Sequence, residues 1–360
     1  MGEDNALKGT PPMARTIGSP DEFTIIAENI HATRVVLRNG KRATTFEDGT
    51  EAVTFKSESG EERFLTVPES FKSTQPYEQG QLKHFMIAMS KGISDDPEEQ
   101  AEGAEYIAYE VRRQVDAGAH FLDLNVDELS YKLDVQKAAM AWVVRTVQEV
   151  SPVPLSIDSS NPEIIAAGLA EYDGRTGRPM INSVALERLE TLELVKSHDA
   201  RVIVTASGAS GMPDDDKERV ANIQEVMSAV QSADIPMDDV YIDCLVFPIS
   251  VASQFGNDYL NAVSEVRDLY GSEVHITGGL SNVSFGIPRR KLVNDTFIYL
   301  GLEAGIDSGI IDPIQSKLQD VFDLNVETEG VRLAREMLLG HDDFCVNYIQ
   351  AWRDKKLKTR

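Results

Sequence analysis

Between residues 23 and 313 the chain repeats one unit eight times, a short apolar run followed by a helical stretch. Strand–crossover–strand connections are right-handed almost without exception, so eight such units in series continue around until the first strand meets the last. The expected fold is therefore α/β, a (β/α)8 TIM barrel. Its strands are the runs FTIIAEN, FLDLNV, PLSID, PMINS, RVIVTAS, VYIDCL, VHITGG and SGIIDP. The helices expected between and after them cover about 95–118, 134–150, 161–171, 187–198, 214–232, 257–270, 288–304 and 316–338.

Several of these runs end in an acid or an amide. The carriers are Asp123, Asn125, Asp158, Asn182 and Asp243, with Asn282 just beyond the seventh run. The carboxyl ends of barrel strands are where such folds assemble their sites, and repeated polar strand ends work against core burial unless they are used. Acids and amides with almost no His, Cys or Lys among them suit a flat ligand rich in N–H and C=O groups, and a heteroaromatic ring fits that description. Asn161 is the better cap for the helix after PLSID, which leaves Asp158 free to face the mouth. In the segment TGGLSNVS two glycines let the backbone approach a ligand, and Asn282 then offers a donor and an acceptor on a short side chain.

Composition narrows the alternatives. A formal charge of −24 excludes the clustered cations that phosphate-backbone binding needs, so no nucleic-acid partner is expected. No apolar run approaches the length of a membrane span, and the two cysteines, Cys244 and Cys345, fit a reducing compartment such as the cytoplasm. Residues 1–22 read as a flexible tail, and 23–360 as the barrel. Between Thr33 and Pro68, β-rich runs alternate with the turn pairs Asn39-Gly40, Asp48-Gly49 and Ser59-Gly60, which predicts a four-stranded meander inserted after strand one, either to cap a barrel end or to serve as a docking platform. His275 lies inside strand seven and is expected to be a wall histidine. The other histidines have no metal-ligand spacing, so no metal site is expected.

Taken together, LDLNVDE, LSIDSSNPEIIAAGL, MINSVALER, GMPDDDKERV, IPMDDVYIDCLVFP and TGGLSNVSFG followed by LVNDTF resemble the pterin-binding methyltransferase family. Methyltetrahydrofolate:corrinoid protein methyltransferases and the folate module of cobalamin-dependent methionine synthase belong to it. The resemblance implies that Asp158, Asn182 and Asp243 hydrogen-bond the pterin ring, that Asn282 is the catalytic amide beside pterin N5, and that Arg290 lies near the folate. Asp123, Asn125, Glu28, Gly279 and Ser281 complete the implied substrate contacts. It further implies tetrahydrofolate or its 5-methyl form as substrate, a corrinoid supplied by a separate partner protein, and a homodimer. A pterin presents N3–H and a 2-amino group side by side, a pair that one carboxylate can accept. Dihydropteroate synthase, a related pterin enzyme, is a weaker match, because the eighth run has no Lys or Arg until Lys317. A non-catalytic folate-binding subunit is the remaining alternative.

Overall fold

The computed structural model describes residues 17–357. Eight parallel strands form one sheet: β1 Thr24–His31, β2 Phe121–Asn125, β3 Leu155–Asp158, β4 Met180–Val184, β5 Arg201–Thr205, β6 Val240–Asp243, β7 His275–Thr277 and β8 Ser308–Ile311. Neighbours in sequence are neighbours in space, and β1 also pairs with β8. The seam between β7 and β8 carries no continuous ladder. It closes instead through the Ile310 N–H to the Gly278 carbonyl (2.9 Å), the Asp307 N–H to the Ile276 carbonyl (3.3 Å) and the Ser308 hydroxyl to the same Ile276 carbonyl (3.0 Å). The TIM barrel expected from the sequence is thus the fold observed.

The strands read as continuous apolar runs because helices cover their outer face while the lumen covers the inner one. Side chains alternate along a strand, so every second residue enters the lumen. Ile26, Phe121, Met180, Ile203, Tyr241 and Ile310 form an apolar cluster of their own there, separate from the larger core between sheet and helices. At its lower edge His275 stacks on Tyr241 at 4.4 Å between centroids and meets Asp307 at 3.1 Å. It is a wall histidine at the amino end of its strand, beside the apolar cluster and one inward position below Thr277.

Three details differ from the sequence reading. The insertion is a three-stranded antiparallel meander (Ala43–Thr45, Glu51–Lys56, Glu62–Thr66), turned by Gly49 and Gly60 with φ of 85° and 84°. The run before Asn39-Gly40 does not join it, because Arg38 N–H bonds to Gly80 and Val36–Leu37 pairs with Gln81–Leu82. The meander also packs on the flank of the barrel rather than over its end. Phe55 meets Tyr106 edge-on at 5.2 Å, and Arg42 reaches the buried Glu110 at 2.7 Å, both on the helix Pro97–Asp116. Second, the last expected helix is two, Leu318–Phe322 and Glu329–Leu338; Asn325 accepts the Glu327 N–H at 3.0 Å and Thr328 begins the new helix. Third, of the tail expected over 1–22, residues 1–16 lie outside the described residues, whereas Ile17 is buried in the main core and Pro20–Glu22 forms a 3-10 turn.

Gly309 shows how closely the seam is packed. A Cβ there would lie 2.6 Å from Leu280 Cδ1 and 3.0 Å from Phe23 Cζ, both buried. Gly309→Ala should therefore destabilise the protein by about 1–3 kcal/mol through overpacking. Urea unfolding should show a lower midpoint at unchanged slope.

Candidate active site

The lumen changes character two residues beyond the apolar cluster. Phe121 is followed on the same face by Asp123, Met180 by Asn182, Ile203 by Thr205, and Tyr241 by Asp243. The pairing register aligns them: Asn125, Asp158 and Asn182 are adjacent across β2, β3 and β4, and Thr205, Asp243 and Thr277 across β5, β6 and β7. The structure therefore brings together at one mouth the strand-end acids and amides that the sequence singled out.

On one side they bond to each other. Asp123 Oδ1 accepts the Ser156 hydroxyl at 2.6 Å and the Asn182 amide at 3.3 Å, while Asp158 Oδ2 accepts the Asn125 amide at 2.8 Å. Asn161 does cap the following helix, its side chain accepting the Glu163 N–H at 2.9 Å, so Asp158 is left to the mouth. Burial raises the Asp123 carboxyl above the ordinary carboxylate range, and burial together with the nearby Asp123 raises Asp158 further. Two such close carboxyls do not both ionise readily, which favours one shared proton on the pair.

Asp243 stands opposite. Its Oδ1 accepts the Leu245 N–H at 2.7 Å, and burial lifts its carboxyl from an ordinary 3.8 to about 6. On either side of it the Thr205 and Thr277 hydroxyls are buried without a partner among the described residues, and Asp243 is the polar group between them in register. Unpaired buried hydroxyls are uncommon and call for a reason. A ligand with polar edges supplies one.

The turn Leu280–Ser284, a single 3-10 turn after β7, carries Asn282. Among the described residues the Asn282 amide makes no hydrogen bond, and the residue is half-buried at the mouth. The two glycines before it have local reasons to be glycine: a Cβ on Gly278 would lie 2.7 Å from the Tyr259 hydroxyl, and one on Gly279 would lie 2.8 Å from Asn282 Nδ2. Gly279 thus makes room for the Asn282 side chain. Ser281 gives its hydroxyl to Glu28 at 2.7 Å, and Glu28 also meets Arg34 at 2.6 Å, so both have protein partners at the rim. Arg290 bonds to Ser284 Oγ and to the Ser281 carbonyl, each at 2.9 Å, and lies over the Phe285 ring.

Residues that the sequence did not single out support these. Asp127 accepts the hydroxyls of Ser159 and Ser160 at 2.5 and 3.0 Å and holds the chain just after Asp158. Arg188 bonds to Ser183 beside Asn182, through its carbonyl at 3.1 Å and its hydroxyl at 2.8 Å. Arg219 is fully buried; its Nε donates to the Cys244 carbonyl at 3.0 Å, directly behind Asp243, and its charge favours the ionised form of that carboxyl. The DELS and ERV patterns could have flagged Asp127 and Arg219 as charges beside buried segments. Arg34 and Thr277 carry no local signal.

Among the described residues no cluster of His, Cys, Asp or Glu could hold a metal ion, and no helix is long and apolar enough to cross a membrane. The arrangement is a lumen with an apolar floor, carboxyl and amide acceptors on its walls and one unengaged amide at its rim. Such an arrangement has the shape and the acceptors to receive a flat ring that carries N–H donors.

Comparison with known proteins agrees with this class. Residues 96–312 match the family described as pterin binding enzyme, and the chain belongs to that family. A relative from Eubacterium limosum named methylcorrinoid:tetrahydrofolate methyltransferase is 27% identical over 251 residues, covering 68% of this chain and 86% of the relative. Solved structures of dihydropteroate synthase from Xanthomonas albilineans are similar with TM-scores of 0.48 and 0.49, at 18% and 19% identity, covering 61% and 64% of this chain and 83% and 87% of theirs.

The raised Asp243 carboxyl has a measurable consequence. Its folded value lies above its unfolded one, so the folded state binds the extra proton between about pH 4 and about pH 6. The stability it confers is complete below that window and is lost as pH rises through about 6. Asp243→Asn removes the titration, so relative to the parent it should gain stability with rising pH, by up to about 3 kcal/mol, and plateau above pH 6. Urea unfolding of both proteins across pH 4.5–8 at about half-unit intervals measures the difference.

Proposed function

We propose that the protein moves a methyl group between N5 of tetrahydrofolate and the cobalt of a corrinoid carried by a separate protein. The observation that carries this reading is the unengaged Asn282 amide at the rim of a lumen whose acceptors suit a pterin. Asp243, Asp158 and Asn182 would take the ring's N–H edge, with Asp123 and Asn125 orienting Asp158 and Asn182. The N5 edge would then face Asn282. A tertiary N5 leaves poorly as an anion, so the group gains a proton as methyl departs and loses one as methyl arrives. An amide that can turn between donating and accepting follows N5 through both states.

The relative from Eubacterium limosum supports the corrinoid half of the reading. This chain's own residues do not fit a resident corrinoid: His275 is stacked on Tyr241 at the barrel floor and engaged by Asp307, so it cannot reach a cobalt above the mouth. The corrinoid, presented by its own protein, supplies the metal that carries the methyl group. Because one site serves both directions, either is consistent with the geometry. A dihydropteroate synthase would handle anionic substrate groups late in the barrel, and here residues 308–316 contain no Lys or Arg. A homodimer in solution and a cytoplasmic location belong to the same proposal, and sedimentation tests the first.

Two substitutions separate binding from catalysis. Asp243→Ala should weaken tetrahydrofolate binding by about 2–4 kcal/mol in titration calorimetry, since a buried N–H pair loses its charged acceptor. Unchanged affinity would remove Asp243 from the ring site. Asn282→Ala should slow methyl transfer roughly ten- to a thousandfold while affinity falls much less, as for loss of one preorganised hydrogen-bonding group. Rapid-mixing kinetics with cobalt(I) cobalamin and 5-methyltetrahydrofolate, and the reverse with methylcobalamin and tetrahydrofolate, give both numbers. An unmutated protein that binds folate but transfers nothing in either direction would favour a non-catalytic subunit.

A further inference from the structure

The turn that carries Asn282 needs holding. It is five residues of 3-10 helix, a geometry with poor internal hydrogen bonds, and it leaves β7 at the one seam of the barrel without a continuous ladder. The Asn282 amide itself is unengaged among the described residues, so the direction it points depends on the backbone beneath it.

That backbone is tied to the far end of the sequence. Glu28, on β1, accepts the Ser281 hydroxyl at 2.7 Å through Oε1, and the same oxygen meets the Arg34 guanidinium at 2.6 Å. Its side chain is only 12% exposed, which strengthens both charge-assisted bonds. From the other side Arg290 closes on the Ser281 carbonyl and the Ser284 hydroxyl. Residue 281 is therefore gripped through its side chain by β1 and through its carbonyl by the helix Arg290–Ala304 that follows. Asn282 is the next residue.

We propose that Glu28 is a positioning residue: through Ser281 it fixes the Leu280–Ser284 turn and so sets the pose of the Asn282 amide, without touching the pterin ring. This rests on the role given above to Asn282. It replaces the ring contact that the sequence implied for Glu28 and for the Ser281 hydroxyl. Arg34 belongs to the same device, since its guanidinium holds the Glu28 side chain aimed at the seam.

The test uses the full-length protein with tetrahydrofolate and free methylcobalamin as methyl donor. Glu28→Gln, close to the parent in shape, should lower kcat roughly ten- to a hundredfold, the loss expected when a reacting partner is misplaced by about 1 Å, while KM for tetrahydrofolate changes by less than about threefold. Ser281→Ala, which removes only the hydroxyl, should reproduce the loss. The double variant Glu28→Gln/Asn282→Ala should be no slower than Asn282→Ala, because the one acts through the other. A second readout is independent of turnover. The Asn282 side-chain amide signal in nitrogen-15 NMR, identified by its disappearance in Asn282→Ala, should shift or broaden in Glu28→Gln with folate bound. An unchanged signal, or folate affinity reduced tenfold or more with kcat retained, would overturn the proposal and return Glu28 to the ring. If the parent binds folate yet transfers no methyl group, the functional reading fails, and the amide signal still decides the role of Glu28.

Discussion

The two-residue alternation of parallel strands in a closed barrel is the constraint from which the rest of this structure follows. Ile26, Phe121, Met180, Ile203, Tyr241 and Ile310 face inward and fill the lower lumen with apolar side chains. The next inward position on the same strands is then polar, as at Asp123, Asn182, Thr205 and Asp243. One periodicity thus supplies both a dry floor and the acceptors that stand on it. The floor keeps water from approaching from below, and the acceptors consequently lie where solvent cannot stabilise their charge.

This arrangement has an electrostatic consequence. Asp123, Asp158 and Asp243 all have carboxyls raised by burial, and the cations that act on Asp158 and Asp243, Arg188 and Arg219, do so at one remove. Arg219 bonds to the carbonyl behind Asp243, and Arg188 to Ser183 beside Asn182. A direct ion pair would have satisfied these carboxylates and closed the site to a neutral ring. Leaving them under-neutralised costs folding stability near neutral pH, a trade-off common at functional sites.

The opposite wall is built differently. Around β1, β8 and the turn after β7 several polar groups are bonded to one another: Glu28 to Ser281 and Arg34, Asn29 to Asp312 at 3.0 Å, and Arg290 to the turn itself. The barrel seam lies on this side, and the contacts stiffen it where backbone pairing is thin. The result is a mouth with receptive carboxyls on β2, β3 and β6 and a braced turn after β7 that presents the Asn282 amide.

Much of this was legible in the linear chain. The eight apolar runs have the length and flanks of buried parallel strands, and the Asp or Asn at their ends marked Asp123, Asn125, Asp158, Asn182 and Asp243, because strand parity and strand polarity are local properties. Asn161 as a cap was equally local. The insertion was less legible: Asn39-Gly40 has the composition of a hairpin turn, but whether its flanking strand pairs with the meander or with Gln81–Leu82 depends on a competition between partners far apart in sequence. The break at Asp323–Thr328 was hidden because the apolar spacing continues through it, and only the folded backbone shows that one helix ends at Phe322 and another begins at Glu329.

The sequence by itself determined the number of strands, which faces they bury, and which polar residues stand at their carboxyl ends, since each follows from periodicity within a few residues. Only the tertiary structure decided which of those residues bond to one another and which stay open. Glu28 and Ser281 are 253 positions apart and meet because the barrel closes; Thr205 and Thr277 come to flank Asp243 only through the register of three separate strands. Contacts of that kind depend on closure and register, which are set by the whole sheet at once and leave no mark on any one segment of the chain.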